Sequence, residues 1–409
     1  MEEISLDEAL SSLEIFMQNA YPNTKSFLTD RIANIETHYN KGILTKSGVA
    51  SPDAYIVNFK EESGFAVLGA NTSVDEIIAV SEGGSLTVTD VDYALSGLPF
   101  ESELIYDDDG NLITDFYSLE DDDYYCAEYA QSAEVLQARL IAESLSVANK
   151  RKSNPTIEVT TPATYYTTPA PLVKTCWTQG SYGTTTLVNK YCKKNKKIGL
   201  AGCSTVALAQ IMTAISFPVL TVNSNLLKWN KMSEYRYVSD LDPLYFDHVA
   251  LLYGAIFCNV GKSVYKNATL ITPRQIQLFM QKVGFDNVNR ICKERFTDEM
   301  INTIQKMLKC GRPVFLSAIP KDWTAAHSWV VDGAKYSPSG DYLLHFNFGW
   351  TGTCNGYFST SCLNPTKGKE YDDISLNNTN PYYNDTYSWH FRMLTYDNPD
   401  PTVSINISL

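Results

Sequence analysis

Residues 200–218 read LAGCSTVALAQIMTAISFP, and they decide the reading because they set one cysteine where a helix would begin. Gly202 permits a tight turn, Ser204 and Thr205 suit a first helical turn, and 206–215 is almost unbroken Ala, Leu, Ile and Met. A helix apolar on nearly every face is a buried one. Its N-terminus carries free N–H groups and about half a positive charge, which favour a thiolate over a thiol. Cys203 is therefore a candidate nucleophile, with a small buried cysteine at the end of a core helix as the plainer alternative.

Working outward, 409 residues are too many for one ordinary core and predict two domains. The net charge of -13 hides an asymmetry. Residues 1–152 hold 28 acidic and 9 basic side chains, whereas 153–409 hold 18 and 24. The two parts attract each other, as a tail and a passenger or an inhibitor and its target would, and charge blocks alone do not decide between them. Lys150 to Lys152 and Lys193 to Lys197 lie in no broadly basic domain, which argues against nucleic acid. No apolar run approaches the roughly 18 residues of a membrane span. Nine scattered cysteines show no CxxC pair and no metal spacing, so neither a metal site nor a cofactor is expected. Most are expected to be reduced thiols, Cys354 and Cys362 being the pair close enough in sequence to bridge in an oxidising compartment. The opening MEEISLDEAL has no basic or apolar leader, so an exported form would have lost its leader ahead of Met1.

Along the chain, Ser5 and Glu8 have capping-box spacing before an amphipathic helix. Residues 55–59 and 65–68 read as a hairpin, and a second capping box, Ser73 to Glu76, predicts a short helix over Ile77 and Ile78. Acidic residues 120–123 suit the start of a helix toward Val147. Residues 153–170, rich in Thr and Pro, read as an exposed linker open to proteolysis beside Lys150 to Lys152. Beyond it, helices are expected over 245–257, 273–283 and 297–308, then strands over 314–319, 329–331, 342–348, 356–358 and 389–394. Helices first and strands later describe an α+β domain.

A thiolate nucleophile needs a base, and the chain offers five histidines. His38 lies in the acidic segment, His248 starts a helix pattern, and His390 sits in the last strand. His345 shares a strand face with Asn347. His327 opens a strand after Ala325 and Ala326, two small residues that would let a substrate backbone approach. The order Cys203, His327, Asn347, with 124 and then 20 residues between them, follows papain-like spacing. Gln179, 24 residues before Cys203, offers a side-chain amide to an oxyanion, with the N–H of Cys203 as its partner.

Four stretches carry a family likeness: PLVKTCWTQGSYG around Gln179, GCSTVALAQIMTAISFP around Cys203, HSWVVDGA at His327, and HFNFGWTGTCNGYFSTSCLNP around Asn347. In them the chain resembles the streptopain family of secreted bacterial cysteine peptidases. AYIVNFKEESGFAVLGANTSVDEIIAVS looks like the prosegment of those zymogens. The resemblance implies a papain-like α+β peptidase domain over 171–409, preceded by an α+β inhibitory prodomain over 1–152, with processing in the linker. It implies secretion or a cell-surface or periplasmic location, protein or peptide substrates, the chain's own prosegment as intramolecular inhibitor, and a hydrophobic residue two positions before the cut. It assigns nucleophile to Cys203, base to His327 and oxyanion donor to Gln179. Where the family places an orienting tryptophan this chain has Phe348, so Asn347, or the aromatic wall of Phe348 and Trp350, is left to orient the imidazole. A polar, tyrosine-rich tail stands in place of the family's glycine-rich loop. A transglutaminase or amidase on a related fold would use the same Cys203 and His327, and a non-enzymatic surface binding protein would use neither.

Overall fold

Strict alternation builds the N-terminal part of the molecule. In Phe65–Gly69, Phe65 and Val67 enter one core while Ala66 and Leu68 enter another, as the two-residue period of a strand requires. A computed structural model describes residues 2–22, 28–44, 50–96, 137–142, 144–145, 165–179, 181–182, 185–186, 201–260, 263–265, 268–293, 296–319, 327–363, 390–397 and 400–409. Among them one sheet of ten strands dominates. In chain order its strands are β1 Ile32–Leu44, β2 Ala50–Phe59, β3 Phe65–Gly69, β4 Ile77–Ser81, β5 Asn289–Lys293, β6 Val314–Ile319, β7 His327–Tyr336, β8 Tyr342–Asn347, β9 Gly356–Ser359 and β10 His390–Thr395. They lie in the order β1-β2-β3-β4-β9-β8-β7-β6-β10-β5, every neighbouring pair antiparallel.

The acidic N-terminal part and the C-terminal part therefore share a sheet. Their seam is the β4 to β9 pairing, with Ser81 opposite Gly356, Val80 opposite Tyr357 and Ala79 opposite Phe358. Gly356 is required there, because a Cβ on it would run into the Val80 carbonyl. Helix α1, Leu6–Ala20, starts at the expected Ser5 and Glu8 capping box. It packs on one face of the seam, where Phe16 meets Tyr357 edge to face at 5.5 Å.

The opposite face carries the larger core. Helix α2, Cys203–Ile215, lies on β7 and β6, with α3, Pro243–Asn259, behind it. Residues 203–213 of α2 are all buried, as the apolar run predicts. Truncating Ile211 or Met212 to alanine there would cost about 2–5 kcal/mol. Helices α4, Pro273–Lys282, and α5, Asp298–Lys309, are amphipathic and present Ile276, Phe279, Ile301 and Ile304 to the same core. A small sheet pairs Ser404–Ile407 in parallel with Val219–Val222.

Two expectations need correction. Ile77 and Ile78 begin strand β4 and not a helix. The Glu76 carboxylate accepts the Ser339 N–H at 2.8 Å, and the Glu76 N–H donates to Asp341 at 2.9 Å, so the supposed cap is spent across the seam. Nor is the linker exposed throughout: Thr167, Pro169 and Ala170 are exposed, but Thr168 between them is not. Thr168 is buried, its N–H donating to the Ala334 carbonyl at 3.0 Å, and the Tyr342 hydroxyl donates to the Tyr166 carbonyl at 2.7 Å. The rest of the linker, residues 153–164, lies outside the described residues, as do Lys150 to Lys152. Of the helix expected toward Val147, residues 137–142 and 144–145 are described and helical.

Candidate active site

Gly202 takes the N-cap position of α2 at φ 84°, a left-handed conformation that glycine adopts without strain, and turns Cys203 onto the helix tip. The sulfur is 1% exposed with its residue, and the main-chain N–H of Ser328 donates to it at 3.0 Å. Ser204, one position on, donates to the Ile271 carbonyl at 2.8 Å and lies 3.0 Å from the Ser328 hydroxyl. Two adjacent residues of the helix tip, Cys203 and Ser204, are thus fastened to Ser328 at the start of β7. His327 is the residue immediately before Ser328, paired with Ala318 of β6 and 2% exposed.

The imidazole is held on two sides. Its Nε2 lies 3.0 Å from the Phe348 carbonyl oxygen, which can only accept, so Nε2 carries the proton and Nδ1 keeps the basic lone pair. Trp350 stacks on the ring at a centroid distance of 4.2 Å. Burial pushes the imidazole down from 6.5 to about 4, opposed only by the Phe348 carbonyl.

Asn347 turns away from this ring. Its amide nitrogen donates to the Thr175 carbonyl at 2.8 Å, and its oxygen accepts from Gln210 at 3.0 Å and from the Gly349 N–H at 3.2 Å. Of the two routes left open for orienting the imidazole, a bond from Asn347 is not the one seen: the hydrogen bond to the ring comes from the Phe348 main-chain carbonyl, and Trp350 stacks on it. Phe348 is buried at 1%, and Trp350 forms the nearer aromatic wall. Gln179 is buried, and its carbonyl accepts the Ala201 N–H at 2.9 Å, two residues before Cys203. Thr178 bridges to Trp350, and the Tyr253 hydroxyl donates to the Thr178 carbonyl at 3.1 Å. Ala325 and Ala326 lie outside the described residues.

One participant escaped the sequence reading. Gln210 sits on α2, two turns beyond Cys203, fully buried in an apolar run. Its oxygen accepts the Trp177 N–H at 3.1 Å and the Thr175 hydroxyl at 3.3 Å, while its nitrogen donates to Asn347. A lone amide inside LAQIM was the available signal, since a buried amide must find partners.

The other described histidines are held elsewhere. His345 lies 2.6 Å from Asp332 and 3.3 Å from Glu82, the residue that follows β4. Glu82 also pairs with Arg236 at 2.6 Å. Burial alone would depress the His345 imidazole, but the Asp332 and Glu82 charges override it and raise it to about 10. Burial likewise works to raise Glu82, and His345 with Arg236 bring it down to about 2. His248 accepts the Lys228 N–H at 3.2 Å, and His38 lies between Asp53 and Asp92. Cys362 is a thiol that donates to the Ile78 carbonyl at 3.4 Å. Among the described residues no cluster of His, Cys, Asp and Glu could hold a metal ion, and no helix is long and apolar enough to cross a membrane.

A thiol at a helix tip, a strand-borne imidazole held through Nε2, and a glutamine loop beside the same tip are the groups that a cysteine peptidase uses. Residues 177–358 match the model of the peptidase C10 family. The chain is 26% identical over 202 residues to streptopain of Streptococcus pyogenes, covering 40% of this chain and 46% of that protein. It is also 26% identical over 197 residues to the thiol protease/hemagglutinin PrtT of Porphyromonas gingivalis, covering 40% of this chain and 21% of that protein. The chain thus spans less than half the length of these relatives. Among solved structures it is similar to a prointerpain A fragment of Prevotella intermedia, with a TM-score of 0.49 and 18% identity over 88% of this chain and 98% of that one.

Proposed function

We propose that this chain is the precursor of a secreted cysteine endopeptidase. The observation that carries the reading is the placement of the Cys203 sulfur against the N–H of Ser328, next to an imidazole whose Nε2 is already committed to Phe348. Nδ1 of His327 takes the thiol proton, and the sulfur attacks the scissile carbonyl. The N–H of Cys203 and the amide of Gln179 stabilise the oxyanion, and the imidazolium hands its proton to the leaving amine. Water then releases the acyl group with His327 as base. Residues 1–152 act as the inhibitory prosegment, and 171–409 as the peptidase. Burial of both Cys203 and His327 supports a closed precursor. The preference for a hydrophobic residue two positions before the cut, and the secreted location, rest on the family likeness.

The test compares the wild type with Cys203→Ala under reducing conditions, following size by electrophoresis. Loss of about the first 150 residues in the wild type alone supports the reading. Equal conversion of both proteins, or of neither, overturns it.

A further inference from the structure

The buried amide pair Gln210 and Asn347 has no place in the chemistry above, yet it touches every segment that supplies that chemistry. Gln210 stands on the helix whose tip is Cys203. Its oxygen holds the Trp177 N–H and the Thr175 hydroxyl, on the strand of chain that ends in Gln179. Its nitrogen holds Asn347, whose oxygen also accepts the Gly349 N–H, so that Phe348 is gripped from both sides. Asn347 closes the ring by donating to the Thr175 carbonyl. Both residues are at most 1% exposed, where a hydrogen bond lost is not replaced by water.

From this juxtaposition we infer that Gln210 is a positioning residue, which with Asn347 fixes the Gln179 loop and the Phe348 carbonyl relative to Cys203. The inference rests on the peptidase reading. Gln210 meets neither substrate nor sulfur. It acts through Trp177 toward the oxyanion and through Asn347 toward the imidazole. Both arms therefore shift together when it is lost. Each arm matters most as charge develops in the transition state, so the loss falls on kcat more than on KM.

The chemistry of one substitution gives a specific readout. Neutral glutamic acid keeps an acceptor oxygen and one of the two donors of the glutamine amide, so protonated Gln210→Glu remakes the bonds to both Trp177 and Asn347. The carboxylate sets an oxygen against the Asn347 oxygen and breaks the second bond. Full-length wild type, Gln210→Leu and Gln210→Glu are converted under the same conditions, and kcat and KM for a peptidyl amide are measured per titrated active site from pH 5 to 8. Expected for Gln210→Leu is a kcat lower by about tenfold or more with KM changed by about twofold or less, and a ratio to wild type that does not vary with pH. For Gln210→Glu the ratio to wild type falls as pH rises. If Gln210→Leu fails to fold, the Gln210→Glu profile alone decides. A Gln210→Glu profile parallel to wild type overturns the inference, as does a Gln210→Leu kcat within about twofold of wild type. A wild type that splits no peptide bond would instead bring down the peptidase reading and this inference with it.

Discussion

The Cys203 sulfur accepts a hydrogen bond from the Ser328 N–H across 125 positions of sequence, so the tip of α2 is tied to the strand that begins with His327. On the proposed mechanism both Cys203 and His327 are needed for chemistry. His327→Ala is expected to lower peptide hydrolysis by about a thousandfold or more while the thermal transition stays near that of wild type. Alkylation of Cys203 by iodoacetamide in the converted protein should slow in parallel. A His327→Ala thiol that alkylates at the wild-type rate would show that the imidazole does not activate it.

Burial holds His327 near 4, below the 6.5 of an ordinary imidazole. Between those values the unfolded chain binds a proton that the native chain refuses, so stability rises with pH there and is lost on acidification. In a Cys203→Ala background, which removes the thiol as proton partner, going from pH 6.5 to 4 is expected to cost about 3 kcal/mol more than in Cys203→Ala/His327→Gln. Urea unfolding at several pH values measures the difference. Equal slopes would mean that water reaches the ring.

Trp350 stacks on the imidazole at 4.2 Å and is the nearest aromatic wall. Trp350→Phe preserves a flat face, and its kcat is expected within about threefold of wild type, whereas Trp350→Ala frees the ring and lowers kcat by about tenfold or more. Loss of the lid also admits water, so the histidine titration should move up toward 6.5 in an NMR pH series.

Glu82 joins the N-terminal part to His345 and Arg236. His345, raised to about 10, contributes stability that is full below 6.5 and lost as pH climbs through 10. Glu82, brought to about 2, contributes above 4.5 and loses its contribution as pH falls through 2. Glu82→Gln measured near pH 6 is expected to cost about 2–4 kcal/mol, since it leaves a buried imidazolium with one counter-charge fewer. If residues 1–152 inhibit, the same variant should convert faster than wild type. An unchanged unfolding midpoint and conversion rate would remove the ion pair from the account.

Residues 165–173 are pinned along β7, where the Leu172 N–H donates to the Asp332 carbonyl at 2.8 Å. A protease needs extended, accessible backbone, so the first residue of the mature form is expected at or before Tyr165. Mass spectrometry of the converted protein decides it. A mature N-terminus beyond Val173 would contradict that packing.

Some of the local structure around the candidate site was legible, though the buried Gln210 side chain was not. Cys203 before an apolar run, His327 at a strand start and the helices over 243–259, 273–282 and 298–309 follow from periodicity and capping. What stayed hidden has physical reasons. The orienting group on His327 is a main-chain carbonyl, and any residue at position 348 supplies one, so nothing in the sequence marks it. Ile77 and Ile78 are too short a run for the period to decide between helix and strand, and Glu76 finds its partners more than 260 positions away. Nor does the composition of β1 announce a strand; it pairs with β2, on whose edge it lies.

Because β4 and β9 are hydrogen-bonded neighbours, removal of residues 1–152 in the proposed conversion would be more than the cutting of a tether. Whatever carries β1 to β4 away strips a row of amide and carbonyl groups along Gly356–Ser359, together with the apolar flank of Tyr357 that α1 had roofed. The freed enzyme would then bear a raw, adhesive border, and its working lifetime in solution would depend on what next lies along it.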